Sequence, residues 1–143
     1  MANIVPFAFK GELASGTHNF SSSGNTFKIA LYTANPYTTS STVKVATNEV
    51  SSAGGSNYTA GGNTLTGQSV TATTATTAID FADTSWASAT FTAAFAAIYN
   101  TSSSDKLVVV LDFGGNKTAT NGTFTISFPD PSTPSNAIIS ITS

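Results

Sequence analysis

Apolar and polar residues alternate with a period of two along much of the chain, the pattern typical of half-buried β-strands. In TFKIALYT the alternation predicts one face made of Phe27, Ile29 and Leu31 and an opposite face with Lys28 and Tyr32. GTFTISF and NAIISIT alternate in the same way. KLVVVLDF is continuously apolar and β-branched, which predicts a strand buried on both faces.

Four further segments are predicted as strands: TVKVA at 42–46, NTLTG and QSVTATT over 63–74, and TTAIDFA at 76–82. The run SWASATFTAAFAAIYN is ambiguous, because its alanines also suit a helix with Trp86 on one side. Its Thr and aromatic content favours a strand. In that interpretation Phe91, Ala93, Phe95, Ala97 and Tyr99 form one face.

Turn residues separate these segments. Gly, Asn and Ser cluster at 21–25, 51–57, 61–63 and 114–117, and PDPSTP follows at 129–134. Gly and Asn readily adopt the positive φ that tight connections need. Asn121-Gly122, between two predicted strands, is the strongest hairpin signal in the chain.

Eight or nine short strands spaced about ten residues apart predict an all-β fold, an antiparallel β-sandwich or a jelly-roll-like domain. The 143 residues suit a single domain, and no composition shift marks a boundary. Residues 1–10 precede the first predicted strand. They belong either to the core or to an extended arm that docks on a neighbouring subunit.

The chain carries very little charge. Charged residues make up 8% of it, with five lysines, no arginine and seven acids, whereas ordinary soluble domains have about 25%. Nucleic-acid binding normally needs a dense set of Lys and Arg, so this composition argues against it and against an anionic membrane surface. Ser and Thr together supply about a third of the residues. A weakly self-repelling hydroxyl surface of this kind favours assembly with neighbours.

Neither a targeting segment nor a membrane span is predicted. MANIVPFAFKGEL lacks the basic start of a signal peptide, and its apolar run is broken by Pro6 and closed by Lys10. The uncharged stretch from Thr84 to Ser104 is apolar only between Ala87 and Tyr99, which is short of the roughly 20 residues that a spanning helix requires.

Residues for catalysis are scarce. Nucleophilic catalysis needs a base beside the nucleophile, and His18, the one histidine, sits among turn residues, where a hydrogen-bonded loop histidine is the expected role. A glycosidase needs two carboxylates across a cleft. Asp80, Asp83 and Asp112 are the candidates, but each lies where an aspartate more often caps a turn. We therefore expect no enzyme and no catalytic residues.

No metal or cofactor site is predicted. One histidine and no cysteine exclude a conventional zinc site, and the spacing of Asp80 and Asp83 does not match a calcium loop. The glycine pairs lack the Lys-Ser/Thr of a phosphate-binding loop.

Aromatic and apolar side chains remain as candidates for binding. Trp86, Tyr37 and Tyr58 suit either a sugar-stacking platform or a protein contact, although a lone Trp in a β domain is more often packed in the core. The predicted interface residues are Ile4, Phe7, Phe9, Tyr37, Tyr58 and Trp86.

A series of phrases in order resembles a family of small β-rich virion structural proteins of tailed phages and prophages. They are ELASGTHNF, TFKIALYTA, NEV, YTAGGNTLTG, DFADTSWASATFTA, AAIYN, KLVVVLDFGGNKT, GTFTISFP and NAIISI. The resemblance covers the chain from about Glu12 to Ile141. The chain departs from the family at TAAFAAIYN, where an arginine is common before IYN. If that arginine makes an inter-subunit contact in the family, this protein must use a different contact.

The resemblance implies a virion component, most simply a capsid cement or decoration protein that stabilises the head. Its expected partners are copies of itself, with a trimer favoured, and the major capsid protein or other virion subunits. The alternative is a tail-associated or receptor-binding module that recognises host glycans through Trp86 and nearby tyrosines.

Overall fold

The computed structural model describes residues 2–130, 132–133 and 137–142, and in this part of the chain the regular structure is mostly antiparallel β. The elements in chain order are α1 (Phe7–Ala14), β1 (Phe27–Tyr32), β2 (Asn63–Thr64), β3 (Ser69–Ala72), β4 (Thr76–Asp80), β5 (Thr84–Asn100), a 3₁₀ turn (Thr101–Ser103), β6 (Lys106–Ile126) and β7 (Ile139–Thr142). The turn predicted over 129–134 includes Pro131 and Pro134, which lie outside the described residues.

The strands form two antiparallel sheets, which confirms the all-β, sandwich-like fold. A four-stranded sheet has the order β2-β1-β5-β6 and a three-stranded sheet the order β3-β4-β7. The described residues contain seven strands, fewer than the eight or nine predicted. The count differs because KLVVVLDF and most of GTFTISF belong to one strand, β6, which has 21 residues, and because the predicted strand at 42–46 does not form.

The hairpin joining β5 to β6 is closed by the 3₁₀ turn, with Ser104 and Asp105 at positive φ, and not by Asn121-Gly122. The predicted hairpin at Asn121-Gly122 is therefore wrong. Asn121, at φ 46°, is an extra residue in β6, since Ala89 pairs with Gly122 and Phe91 already pairs with Ala119. Such a β-bulge uses the same positive φ as a hairpin turn.

At a second irregularity the alternate side chains of β5 change from one face of the sheet to the other. Ala93 pairs with Lys117, but Phe95 pairs with Asp112, so residues 113–116 bulge out of β6 with both of their glycines at positive φ. The predicted turn at 114–117 is thus a bulge. The single face predicted from Phe91 to Tyr99 is also wrong. Phe91 and Ala93 lie in the core between the sheets, whereas Phe95, Ala97 and Tyr99 face the opposite side of the four-stranded sheet.

The four-stranded sheet is covered on both faces. Its inner face packs against the three-stranded sheet in a main core that contains Phe27, Ile29 and Leu31, as the alternation predicts. On its outer face Ala30 and Tyr32 pack in a second apolar cluster under the chain around Ile4, Tyr37 and Val45. This double cover explains the continuously apolar run of Leu107–Val110, which is fully buried as expected.

The helix α1 corrects the expectation of an extended arm for residues 7–10. It follows Pro6 and ends in a Schellman motif, in which Gly16 has φ 78° and Thr17 N donates to Glu12 O. Phe9 anchors the helix in the main core. Another correction concerns Thr42–Ala46, which is not a strand but forms an isolated bridge between Val43 and Lys106.

Candidate functional site

Strand β6 forms one edge of the four-stranded sheet, and the chain covers only the beginning of that edge. Leu107 N donates to Thr42 O, and Val110 exchanges two backbone hydrogen bonds of 2.8 and 2.9 Å with Ile4. Asp112 N donates to the side chain of Asn3. In the described part of the chain, no backbone hydrogen bond from a segment other than β5 reaches 117–126, which we call the open edge.

A groove of about 620 Å³ runs beside the open edge. It lies between β6 and the chain that follows it, and we call it the β6 groove. Its lining is Asn3, residues 111–113, 117–119 and 123–129, Ala137 and Ile138. Leu111, Phe113, Phe128 and Ile138 pack against the main core but remain partly exposed. The volume is within the range of about 300–1,000 Å³ that is usual for binding sites.

Two charges lie in the β6 groove. Lys117 is exposed and makes no ion pair within the described residues. Asp112 accepts a hydrogen bond of 2.8 Å from Gly114 N, and that bond lowers the pKa of its carboxyl. From Thr118 to Pro129 no side chain is charged. The sequence pattern does not indicate this site, because residues 114–117 and Asn121-Gly122 look like a turn and a hairpin that divide the region.

A second, smaller cleft of about 410 Å³ lies between residues 22–26 and 64–68. Its lining is almost entirely small and polar. Gln68 already donates from Nε2 to Ser21 O and Asn25 O at 2.6 and 3.0 Å. Gln68, the longest polar side chain in this cleft, is therefore already used to hold two loops together.

Three large apolar side chains are exposed on the two segments that border the covered part of the β6 edge. Phe7 is 65% exposed and Val5 and Val43 are 40% and 43% exposed. Their segments are neighbours, since Phe7 N donates to Thr39 O. We call Val5, Phe7 and Val43 the N-terminal patch.

His18 is a buried structural residue, as expected of a hydrogen-bonded loop histidine. Its Nε2 lies 3.0 Å from Glu12 Oε2, and Asn100 Nδ2 lies 3.0 Å from its Nδ1. Because Asn100 Nδ2 donates, Nδ1 accepts and the ring proton is on Nε2. Burial raises the pKa of Glu12, but its hydrogen bonds to Lys106 and His18 and the charge of Lys106 outweigh it and lower the pKa overall. Both imidazole nitrogens thus serve to attach α1 and its following loop to the end of β5.

The three candidate aspartates lie in different surroundings. Asp80 ends β4 in the three-stranded sheet and Asp112 lies in β6. The carboxylates that act on Asp80 are Asp83 and Asp130, and Asp83 accepts a hydrogen bond from Phe128 N at 2.8 Å. Burial and these neighbours raise the pKa of Asp80, whose Oδ1 has no hydrogen-bond partner among the described residues.

Four of the six predicted interface residues are buried. Phe9, Tyr37, Tyr58 and Trp86 are 3–4% exposed. The prediction that they form an interface or a sugar platform is therefore wrong, because they are core residues. Of the other two, Ile4 is half-buried against Val110, and Phe7 is exposed.

The tyrosines are buried because their hydroxyls find partners in the interior. Tyr58 donates to Glu49 Oε1 at 2.8 Å and accepts from Leu31 N at 3.0 Å. Tyr37 donates to the hydroxyl of Tyr32 at 2.7 Å. Burial raises the pKa of each of these three phenols. An amphipathic residue that satisfies its polar atom in this way packs as a core residue.

The described residues include no group of three His, Cys, Asp or Glu side chains placed to hold a metal ion. In the same part of the chain no helix is long and apolar enough to cross a bilayer. No protein-family model, curated protein or solved structure matches this chain.

Proposed function

We propose that this protein is a structural component of a tailed-phage particle, a capsid cement or decoration protein that stabilises the head through protein–protein contacts. The N-terminal patch carries the proposal, because three large apolar side chains lie exposed on adjoining segments of a protein whose other aromatic residues are mostly interior. The phage assignment comes from the resemblance of the segment from Glu12 to Ile141 to virion structural proteins of tailed phages.

The roles of the polar side chains support a non-catalytic protein. A general base needs a free nitrogen or carboxylate oxygen within reach of a substrate proton. His18 is engaged at both nitrogens, and Glu12 and Glu49 bind lysines that tie segments of the fold together. These groups hold loops in place.

The proposed partners are other copies of this chain, with a trimer favoured, and the major capsid protein or other virion subunits. Phe7 is the best anchor for self-association, since a large exposed aromatic is typical of interface hot spots. Low charge supports close packing of copies, because little like-charge repulsion opposes it.

Burial argues against the glycan-binding alternative. That function needs Trp86, Tyr37 and Tyr58 as an exposed platform, and all three side chains are buried. Trp86 instead packs edge-to-face against Phe91 and Phe124 at centroid distances of 6.3 and 6.1 Å.

The test compares particles of the encoding phage or prophage with and without this gene. We expect the polypeptide in purified wild-type particles at many copies, and a lower temperature of genome release when the gene is deleted. Added purified protein should restore heat resistance. Phe7→Ser should abolish the trimer in sedimentation, whereas Ile141→Ser, at a residue 48% exposed in β7, should not. Particles that lack the polypeptide would refute the proposal.

A further inference from the structure

The open edge of β6 presents unpaired backbone groups. In an antiparallel strand the outward donors and acceptors recur every second residue, about 7 Å apart. Only another extended polypeptide offers matching groups at that spacing. The same edge already accepts two such segments, since Ile4 and Val43 form antiparallel bridges with Val110 and Lys106. The open part of the edge therefore has the same kind of backbone donors and acceptors as the part that these two segments already pair with.

The β6 groove adds a place for side chains. A strand laid along the open edge would direct every second side chain to the face on which Phe124 and Ile126 lie. On that face Phe113, Phe128 and Ile138 are partly exposed around the groove. An added strand with apolar residues at alternate positions would cover them.

Charge restricts the added strand further. Lys117 is the one charged side chain of the open edge, and it has no partner ion within the described residues. Asp112, the other charge in the β6 groove, lies outside the open edge, beyond the bulge at 113–116. An acidic residue near that end of the added strand would complement it. The rest of the open edge carries no charged side chain, so it offers no ionic partner to a further charge on the added strand.

The bulges argue against a second copy of β6 as the occupant. Residues 113–116 bulge at one end of the open edge and Asn121 lies within it. Bulges interrupt regular pairing, and two copies of this edge would each bring these bulges to the contact. A regular strand from a different polypeptide pairs better with the remaining stretches.

We propose that the open edge and the β6 groove take an added β-strand from a different polypeptide, extended and uncharged except for one acidic residue, with apolar side chains at alternate positions. This inference rests on the proposed function, in which that polypeptide is another virion subunit. The surface is separate from the N-terminal patch, so either assignment can fail alone.

The probe is a synthetic nine-residue peptide in which valine alternates with threonine, and the terminal valine that would lie beside Lys117 is replaced by aspartate, because Lys117 pairs with Ala93 and shares the groove face with the valines. Backbone amide spectra of the full-length protein should show shifts and slowed hydrogen exchange within 117–126. The amides of Lys106–Val110 should not change, because that part of the edge is already covered. A peptide with a central proline should not bind, since proline lacks the amide donor.

Charge reversal provides the matched variants. Lys117→Glu should weaken binding of the aspartate peptide about fivefold and strengthen binding of a lysine peptide by a similar factor, the usual size of an exposed charge pair. Lys10→Glu, at an exposed lysine in α1, should change neither affinity. Phe113→Ser should weaken both peptides without altering their charge preference.

Three outcomes would overturn the inference. The first is no binding of the aspartate peptide to the folded protein, and the second is shifts confined to other surfaces. The third is a concentration-dependent dimer that protects 117–126 without peptide, which would make a second copy the occupant. Binding of the peptide to a protein that is absent from particles would refute the proposed function alone.

Discussion

Replacing Asn100 with alanine should remove much of the stability of this protein. The side chain is fully buried at the end of β5. Its Nδ2 donates to His18 Nδ1 and Asn25 Oδ1, both at 3.0 Å, and its Oδ1 accepts from Ser102 N at 3.0 Å. Asn100→Ala removes these bonds together.

The three former partners do not lose equally. Asn25 Oδ1 still accepts from Asn19 N, and Ser102 is exposed and gains water. His18 Nδ1 is buried and left without a donor, which costs about 1–3 kcal/mol. The small cavity adds to this, so we expect a loss of about 2–4 kcal/mol. Out of a typical total of about 5–15 kcal/mol, that is a large fraction.

Urea denaturation at pH 7.5 and 25 °C measures the free energy of unfolding. Asn116→Ala, an exposed asparagine in the bulge of β6, is the control and should change it by less than about 0.5 kcal/mol. Asn100→Asp preserves the volume of the side chain but replaces the donor by an oxygen, which would face Asn25 Oδ1 and His18 Nδ1. It should therefore destabilise at least as much as alanine. A near-neutral Asn100→Asp would refute the reasoning, because a cavity and not a lost donor would then account for the alanine result.

Three further predictions concern backbone space and charge. Gly62→Ala should unfold the protein or lower its stability by several kcal/mol in thermal melts, because Gly62 has φ 72° and an added Cβ would lie 1.8 Å from Ile29 O. The control Gly114→Ala, at φ 73° with open space around it, should lower the stability by only about 1 kcal/mol. The pKa of Glu12 is lowered, so the Glu12 carboxylate stabilises the fold above the ordinary pKa of 4.5, and this stabilisation is lost as pH falls through the lowered pKa. Glu12→Gln should therefore flatten the acid side of a plot of melting temperature against pH, and an unchanged plot would contradict this. The pKa of Asp80 is raised, so ionisation of this buried carboxyl destabilises the folded protein as pH rises through the raised pKa. Asp80→Asn should therefore raise the melting temperature at pH 7 but not at pH 3, and equal shifts at both pH values would count against burial of the charge.

The candidate surfaces were only partly predictable. Phe7 could be proposed from its apolar neighbourhood, and it is exposed. Trp86 and Tyr58 looked equally suitable, because a sequence does not show whether a buried partner such as Glu49 exists for a phenol. The β6 groove had one signal in the sequence, the uncharged alternating run that follows Lys117, but its floor includes Ile138 from a distant segment.

The helix α1 also had signals that were insufficient by themselves. Pro6 and Gly16 stand at its two ends, in the arrangement that helices favour. An eight-residue helix is marginal in isolation. It is stabilised by the burial of Phe9 and by the bonds of Glu12 to Lys106 and His18, which only the folded chain brings together.

The local sequence determined most of the strands, and in β1 also which side chains face the main core, because alternation has the period of the β backbone. Phe27, Ile29 and Leu31 show this most clearly. Tertiary structure decided how the strands join. A positive φ at Asn121 suits a hairpin turn as well as a bulge, and pairing with the long strand β5 selected the bulge. Each bulge shifts the alternation by one or more residues, so the faces of β5, and with them the open edge and its groove, follow from pairing across the sheet.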